Sequence, residues 1–169
     1  MELIQEINPE DIGEKSKKVK YDVRKASRAV LFDGDKIALL FVSQKGFHKI
    51  PGGGVEKDED VQKALLREIR EEAGCVAKIQ NEIGTIIEYR DEIEQINISY
   101  GFIAKVISKN ELLLTEQEKK DGFTLEWVKL DDAIRQMEKD RPLHYVEKFM
   151  AKRDLTFLKK AKEITEKKP

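Results

Sequence analysis

Residues 52–76, GGGVEKDEDVQKALLREIREEAGCV, constrain this chain more than any other stretch, because they join a run of glycines directly to a helix crowded with carboxylates. Asp58 or Asp60 is placed to cap a helix that runs to about Ala73, where Gly74 supplies a stop. At about 100° per residue, Glu68, Glu71 and Glu72 fall within an arc of roughly 100°, and Leu65, Leu66, Ile69 and Ala73 fall on the adjoining arc. One side of the helix should pack while its neighbour presents acid.

Three carboxylates on one edge repel one another at neutral pH unless a cation lies among them. Carboxylate and carbonyl oxygens suit a hard divalent ion, which makes Mg²⁺ the expected cofactor, with Mn²⁺ able to take its place. Gly52, Gly53 and Gly54 let the backbone offer a carbonyl or approach a phosphate closely. Arg67 stands four residues before Glu71, in position to orient it through an ion pair.

The same segment resembles the Nudix box: a glycine, five residues, Glu, seven residues, Arg-Glu, an aliphatic, any residue, Glu-Glu, any residue, Gly and an aliphatic. Gly53, Glu59, Arg67, Glu68, Ile69, Glu71, Glu72 and Gly74 fall in register, and Cys75 is the one departure, a small apolar residue in the aliphatic position. Cys75 reads as a core residue. The order of strands around the box extends the resemblance over about residues 22–140.

The whole chain is consistent with that reading. Its 169 residues fit one domain with one core. Lysine plus arginine (32) nearly balance aspartate plus glutamate (33), so no global field recruits long nucleic acid or an anionic membrane. A single cysteine excludes an internal disulfide framework and fits a reducing, cytoplasmic setting. The N-terminus lacks the uninterrupted apolar stretch of a secretory signal, and no apolar run approaches the ~20 residues that cross a bilayer. Oligomeric state stays open, a homodimer included.

Residues 1–21 read as a loose lead-in or short edge element. Strands over 25–32 and 36–43 flank the turn Asp33-Gly34-Asp35, and residues 45–56 read as a glycine-rich loop. A second hairpin is expected over 76–89 and 95–107, with Gly84 marking a bulge or break, then a polar loop over 108–122 and a strand over 123–128. A short helix over 131–139 precedes a longer one from Pro142, with Leu143, Val146, Phe149 and Met150 at helical spacing and a frayed KEITEKKP end. This order predicts an α+β or mixed α/β fold. The resemblance implies an α/β/α sandwich about a mixed, largely antiparallel sheet, with the helix over 141–169 added at the end.

The resemblance further implies Mg²⁺-dependent hydrolysis of a phosphoanhydride bond in a nucleoside diphosphate linked to another moiety. In that reading Glu68 and Glu72 are the leading metal ligands, Glu71 shares or bridges, the Gly52 carbonyl completes the shell, Arg67 orients, and Glu56 and Glu59 support a further ion or the helix start. Gly53, Gly54 and Phe47 are the candidate substrate contacts, Phe47 either stacking on a base or buried under the loop. The general base is a box glutamate or a loop residue such as Glu116 or Glu118. His48 and His144 read as ordinary loop and helix residues. The absence of proline between Cys75 and Lys109 disfavours ADP-ribose, and Tyr89 lies near the tyrosine position associated with dinucleoside polyphosphates. A non-catalytic nucleotide sensor of the same fold is the alternative; it would be marked by lost box carboxylates, and none is lost.

Overall fold

The computed structural model describes residues 1–167. Its centre is a mixed sheet of β1 (Leu3–Ile7), β2 (Asp22–Asp33), β3 (Lys36–Val42), β4 (Phe47–Lys49), β5 (Gly52–Gly54), β6 (Cys75–Arg90), β7 (Gln95–Lys109) and β8 (Phe123–Lys129). β2 and β7 run parallel from Asp22↔Gln95 to Phe32↔Lys105, β1 runs parallel to β6, and the other pairs are antiparallel. Four α-helices accompany it: α1 (Val61–Ala73), α2 (Glu116–Lys120), α3 (Leu130–Lys139) and α4 (Tyr145–Glu166).

Strand alternation decides which helix covers which face. Ala29 and Leu31 of β2, Ala38 of β3, and Phe102 and Ala104 of β7 pack with Leu65, Ile69 and Ala73 of α1. Their neighbours Val30, Ile37, Leu39 and Ile103 point the other way, into a cluster with Met137 of α3 and Phe149, Phe157, Leu158 and Ala161 of α4. The result is a sheet sandwiched between α1 and the α3–α4 pair. Gly101 permits the close approach of α4, since a Cβ there would lie 2.3 Å from a ring carbon of Phe157.

The feature that positions the site is a split between β2 and β3. They pair only at their turn, Phe32↔Ile37 and Asp33↔Lys36. Beyond it, β4 takes over the edge of β3 and β5 takes over the edge of β2, through Ala26↔Gly54, Ser27↔Gly53 and Arg28↔Gly52. The chain crosses the gap at Ile50-Pro51, where Ala29 N–H donates to the Pro51 carbonyl at 2.9 Å.

Several expectations are met: α1 is capped by Asp60 and stopped by Gly74 with φ of 63°, β1 is a short edge strand, and the pairing of β6 with β7 shifts register between Glu82 and Gly84. Others are corrected. Residues 45–56 contain two strands, because the split leaves ladder positions that β4 and β5 fill. Residues 108–122 contain α2, nucleated by a capping box between Thr115 and Glu118. The last helix begins at Tyr145 instead of Pro142, since Asp140 stays extended while its carboxylate accepts the backbone N–H of His48 at 2.7 Å. Leu143 is accordingly 85% exposed, and Leu66 also faces solvent. The KEITE segment is helical through Glu166, anchored by Ala161 and Ile164 against the core. Residues 168 and 169, where fraying was also expected, lie outside the described residues.

Because α4 closes one face of the sheet, Phe157→Ala should cost about 3–5 kcal/mol, the range for a buried aromatic truncation. A urea titration by circular dichroism measures it. A loss below ~1 kcal/mol would mean that α4 is an appendage.

Candidate active site

The mouth of the split and the edge of α1 form one cleft of about 640 Å³. Its lining includes Gly52, Gly53, Gly54, Glu56, Arg67, Glu68, Glu71 and Glu72, together with Arg24, Arg28, Lys49 and Arg90. The acidic set expected from the helix spacing therefore shares a cavity with four cationic side chains that the spacing did not reveal.

Glu72 is the most deeply set of the carboxylates, 1% exposed between α1 and the sheet. Its Oε1 accepts the Gly52 N–H at 3.1 Å, and Lys49 Nζ lies 2.9 Å from Oε2. Lys49 occupies one lone pair of Oε2, and the second stays available on this buried oxygen. Burial pushes the Glu72 carboxyl well above the ordinary carboxylate range, with the charge of Lys49 opposing. Glu71 is raised as well, first by desolvation and then by the charge of Glu68.

Arg67 sits among the remaining carboxylates. Its Nε and Nη2 donate to the two oxygens of Glu59 at 2.9 and 3.0 Å, Nη1 donates to Glu68 at 2.8 Å, and Nη2 reaches the Gly54 carbonyl at 3.0 Å. The expected partner Glu71 is farther, at 3.5 Å. Arg67 thus ties helix start, helix middle and glycine strand together, and Glu59 is held below the ordinary carboxylate range by its bond to Arg67. Gly53 leaves room for this arrangement: a Cβ there would lie 2.3 Å from Glu68 Oε1.

Glu68, Glu71 and Glu72 line the same cleft, but among the described residues no three acidic, histidine or cysteine side chains already converge as a metal cage. The donor set instead fits a hard divalent ion of the Mg²⁺ kind, which takes one or two carboxylates and fills the rest of its shell with water and phosphate oxygens. The second lone pair of the buried Glu72 Oε2, beside Lys49, is the observation that carries this fit. The Gly52 carbonyl, the expected backbone ligand, accepts Arg28 Nη1 at 2.5 Å and keeps its second lone pair. Glu56 is an exposed rim residue 3.9 Å from Arg67.

Two of the four cations, Arg24 and Arg90, rest on one buried carboxylate. Glu88, fully buried, accepts Arg90 Nη2 at 2.8 Å and the Asn97 amide, while Asn97 in turn accepts Arg24 Nη1 at 2.7 Å. Desolvation alone would raise the Glu88 carboxyl, but the charges of Arg153 and Arg90 and these hydrogen bonds outweigh it and hold it below the ordinary value. Arg28 is also buried, and desolvation lowers it to about 10, with the charge of Arg153 adding to the shift.

The other candidates divide. Glu118 lines the cleft beside Thr115, whereas Glu116 is 84% exposed and paired with Lys119. Phe47 is 2% exposed: paired with Val42, it turns into the core and cannot meet a substrate. Phe123 lines the cleft in its stead, with Ile93, Val146 and Met150. His48 is bound to Asp140 at 3.0 Å, His144 stands at the N-cap position of α4 without a side-chain capping bond, and neither lines the cleft. Tyr89 donates to Glu6 at 2.7 Å, away from it. Cys75 is buried, as expected. Arg24 and Arg28 could have been flagged in the sequence, because two arginines four apart on a strand share a face with the core-bound positions between them; nothing marked Arg90 or Lys49.

A family model described as the NUDIX domain matches residues 22–149. Diphosphoinositol polyphosphate phosphohydrolase 3-alpha of Mus musculus is 34% identical over 102 residues, 59% of this chain and 58% of that protein, so the chain spans less than two thirds of such curated relatives. Among solved structures, a NUDIX hydrolase from Nitrosomonas europaea superposes with a TM-score of 0.59 at 18% identity, covering 78% of this chain and 89% of that one. The C. elegans Ap4A hydrolase gives 0.58 at 20%, covering 85% and 99%. These structures share the fold.

Glu88 supplies a pH test. Its folded-state value is depressed, so its contribution is fully present above the unfolded value of about 4.5 and is lost as pH falls from there through the folded value. Glu88→Gln should lower stability at pH 7, leaving Arg90 and Arg153 short of a counter-charge, and should flatten the acid limb of a melting-temperature profile between about pH 5 and 3. Parallel acid limbs in the two proteins would remove Glu88 from this role.

Proposed function

The chain belongs to the NUDIX domain family, and from that premise we propose that it hydrolyses a phosphoanhydride bond with the help of Mg²⁺. The observation that carries this reading is the presence, within one cleft, of Glu68, Glu71 and Glu72 together with Arg24, Arg28, Lys49 and Arg90. A pyrophosphate group needs both sides: oxygen donors for a divalent ion, and fixed cations for the phosphate oxygens that the ion does not reach.

Glu72 and Glu68 would hold the ion, with Glu71 sharing and the second lone pair of the Gly52 carbonyl available. The bound ion would lower the pKa of a coordinated water and offset charge developing on phosphorus. Arg67 keeps Glu68 directed toward the cleft. Arg24, Arg28, Lys49 and Arg90 neutralise and orient the polyphosphate, which reduces the entropic part of the barrier. The base that takes the water proton is Glu71, which burial has made more basic, or Glu118, which lines the same cleft.

A nucleoside diphosphate linked to another moiety is the substrate class that the apolar flank supports. Phe123, Ile93, Val146 and Met150 offer a surface for a planar base next to the charged walls. A second reading, a diphosphoinositol polyphosphate like that named for the mouse relative, is favoured by the number of cations in the cleft. Phosphate release from nucleoside triphosphates, nucleotide sugars, dinucleoside polyphosphates, coenzymes and diphosphoinositol polyphosphates, with and without Mg²⁺, separates the two. A folded protein active on none of them would leave the nucleotide-sensor alternative.

On the best substrate of that panel, Glu72→Gln should lower kcat by at least about 100-fold with the circular dichroism spectrum unchanged, because the lost charge acts mainly on the transition state. Near-normal turnover in the folded variant would exclude Glu72 as a ligand.

Mg²⁺ should also raise the melting temperature. At 100 times its dissociation constant the ion adds ~2.7 kcal/mol, several degrees for a chain of this size. The rise should shrink in Glu68→Gln and should not be reproduced by sodium at equal ionic strength. An equal rise with sodium would reduce the effect to charge screening.

A further inference from the structure

The first half of α4 carries two adjacent ionised residues, Arg153 and Asp154, both with 0% exposure. They lie beyond the last residue of the family match. Arg153 Nε donates to Asp154 Oδ1 at 2.7 Å, so the pair neutralises itself, but each member has a second contact on the sheet. Asp154 Oδ2 accepts the backbone N–H of Ile50 at 3.1 Å. Arg153 Nη1 reaches Glu88 Oε2 at 3.4 Å.

Those two contacts lead to opposite walls of the cleft. Ile50 precedes Pro51 and Gly52 at the crossing of the sheet split, and the Gly52 N–H is the donor that fixes Glu72. Glu88 is the carboxylate on which Arg90 rests directly and Arg24 rests through Asn97. Packing alone gives no account of the pair. Burying two charges on an otherwise apolar stripe is costly, Arg153 Nη2 is left buried with no partner, and what the pair gains in return is its two contacts with Ile50 and Glu88.

We propose that Arg153 and Asp154 are positioning residues for the cleft, Asp154 setting the glycine strand that fixes Glu72 and Arg153 setting, through Glu88, the arginines that take phosphate. This rests on the reading of the cleft as a site for Mg²⁺ and a polyphosphate. It makes the two walls separable from one point on α4. Removing the guanidinium of Arg153 takes one partner from Glu88, on which Arg90 and, through Asn97, Arg24 rest, while the Ile50 N–H keeps its own acceptor, Asp154 Oδ2, although Asp154 loses its bond from Arg153. Asp154→Asn offers one acceptor oxygen where two donors, Ile50 N–H and Arg153 Nε, now point, and the charged guanidinium is the stronger donor, so the Ile50 bond is the one lost while Glu88 keeps its partners.

The test is calorimetric titration of the full chain with Mg²⁺ and, separately, with inorganic tripolyphosphate, at a temperature where each variant is folded by circular dichroism. Arg153→Met should weaken tripolyphosphate about tenfold, ~1.4 kcal/mol, and leave Mg²⁺ affinity within about twofold. Arg153→Lys, which restores a charge near Glu88 and guards against loss of folding in the first variant, should recover most of the difference. Asp154→Asn should show the reverse split, with Mg²⁺ weakened roughly tenfold or more, as for supports behind metal ligands. Variants that melt earlier but bind both ligands as the unaltered chain does, or that lose both equally, would overturn the positioning roles and make the pair purely structural. If the unaltered chain binds neither ligand, the reading of the cleft fails first, and this inference falls with it.

Discussion

The early parting of β2 and β3 is the constraint from which the site follows. A strand edge left open inside a sheet exposes unpaired N–H and C=O groups, and some other segment has to pair with them. Here the segment is short and made of glycine, β5, whose backbone meets Ala26, Ser27 and Arg28. With no side chains in the way, α1 can lie close enough for the Glu72 carboxylate to accept the Gly52 N–H and for Glu68 to crowd against Gly53. Open edge, glycine strand and acidic helix are three consequences of one topological choice.

That choice carries an electrostatic burden. Glu72, Lys49, Arg28, Glu88, Arg153 and Asp154 are all buried, and each charge taken from water costs several kcal/mol before its partners offset it. The charges are not distributed at random. Anions on α1 line one edge of the cleft, Arg24, Arg28 and Arg90 of β2 and β6 line it from the sheet, and Lys49 of β4 meets Glu72 between them. A cleft of this kind holds its field because its charges are fixed by the fold, and fixed charges need no reorganisation when a ligand's own charge shifts. Arg67 plays a different part. It sits on the acidic side and keeps Glu59 and Glu68 from pushing each other apart, so the helix tolerates its own charge density.

The parts of this molecule legible in its sequence are those with local causes. The helix caps of α1, the acidic arc, the turn at Gly34 and the register break near Gly84 each depend on a few consecutive residues, and each was recoverable from them. What was not legible depends on distant pairing. Whether residues 45–56 are loop or strand is decided by the edges that β2 and β3 leave open, not by their own propensities. Phe47 sits before the glycines just as a base-stacking residue would, yet pairing with Val42 turns it inward. The cationic wall is drawn from β2, β4 and β6, so no window of sequence contains it. The start of α4 also depends on distant pairing: Pro142 is a good first helical residue, but Asp140 is engaged by His48 from β4 and holds the chain extended.

The length of α4 follows from the same geometry. A helix that served only to cover the sheet could be apolar along its inner stripe, as it is at Phe149, Phe157, Leu158 and Ala161. Arg153 and Asp154 interrupt that stripe where the helix passes over the foot of the split, where the main-chain N–H of Ile50 and the carboxylate of Glu88 are buried too. An apolar residue at 154 would leave the Ile50 N–H without an acceptor, and one at 153 would leave Glu88 with an uncompensated share of negative charge. Either defect would cost more than the packing it improved. The polar interruption of α4 is therefore the complement of the open edge in the sheet, and the helix has to be long enough to place apolar anchors on both sides of it.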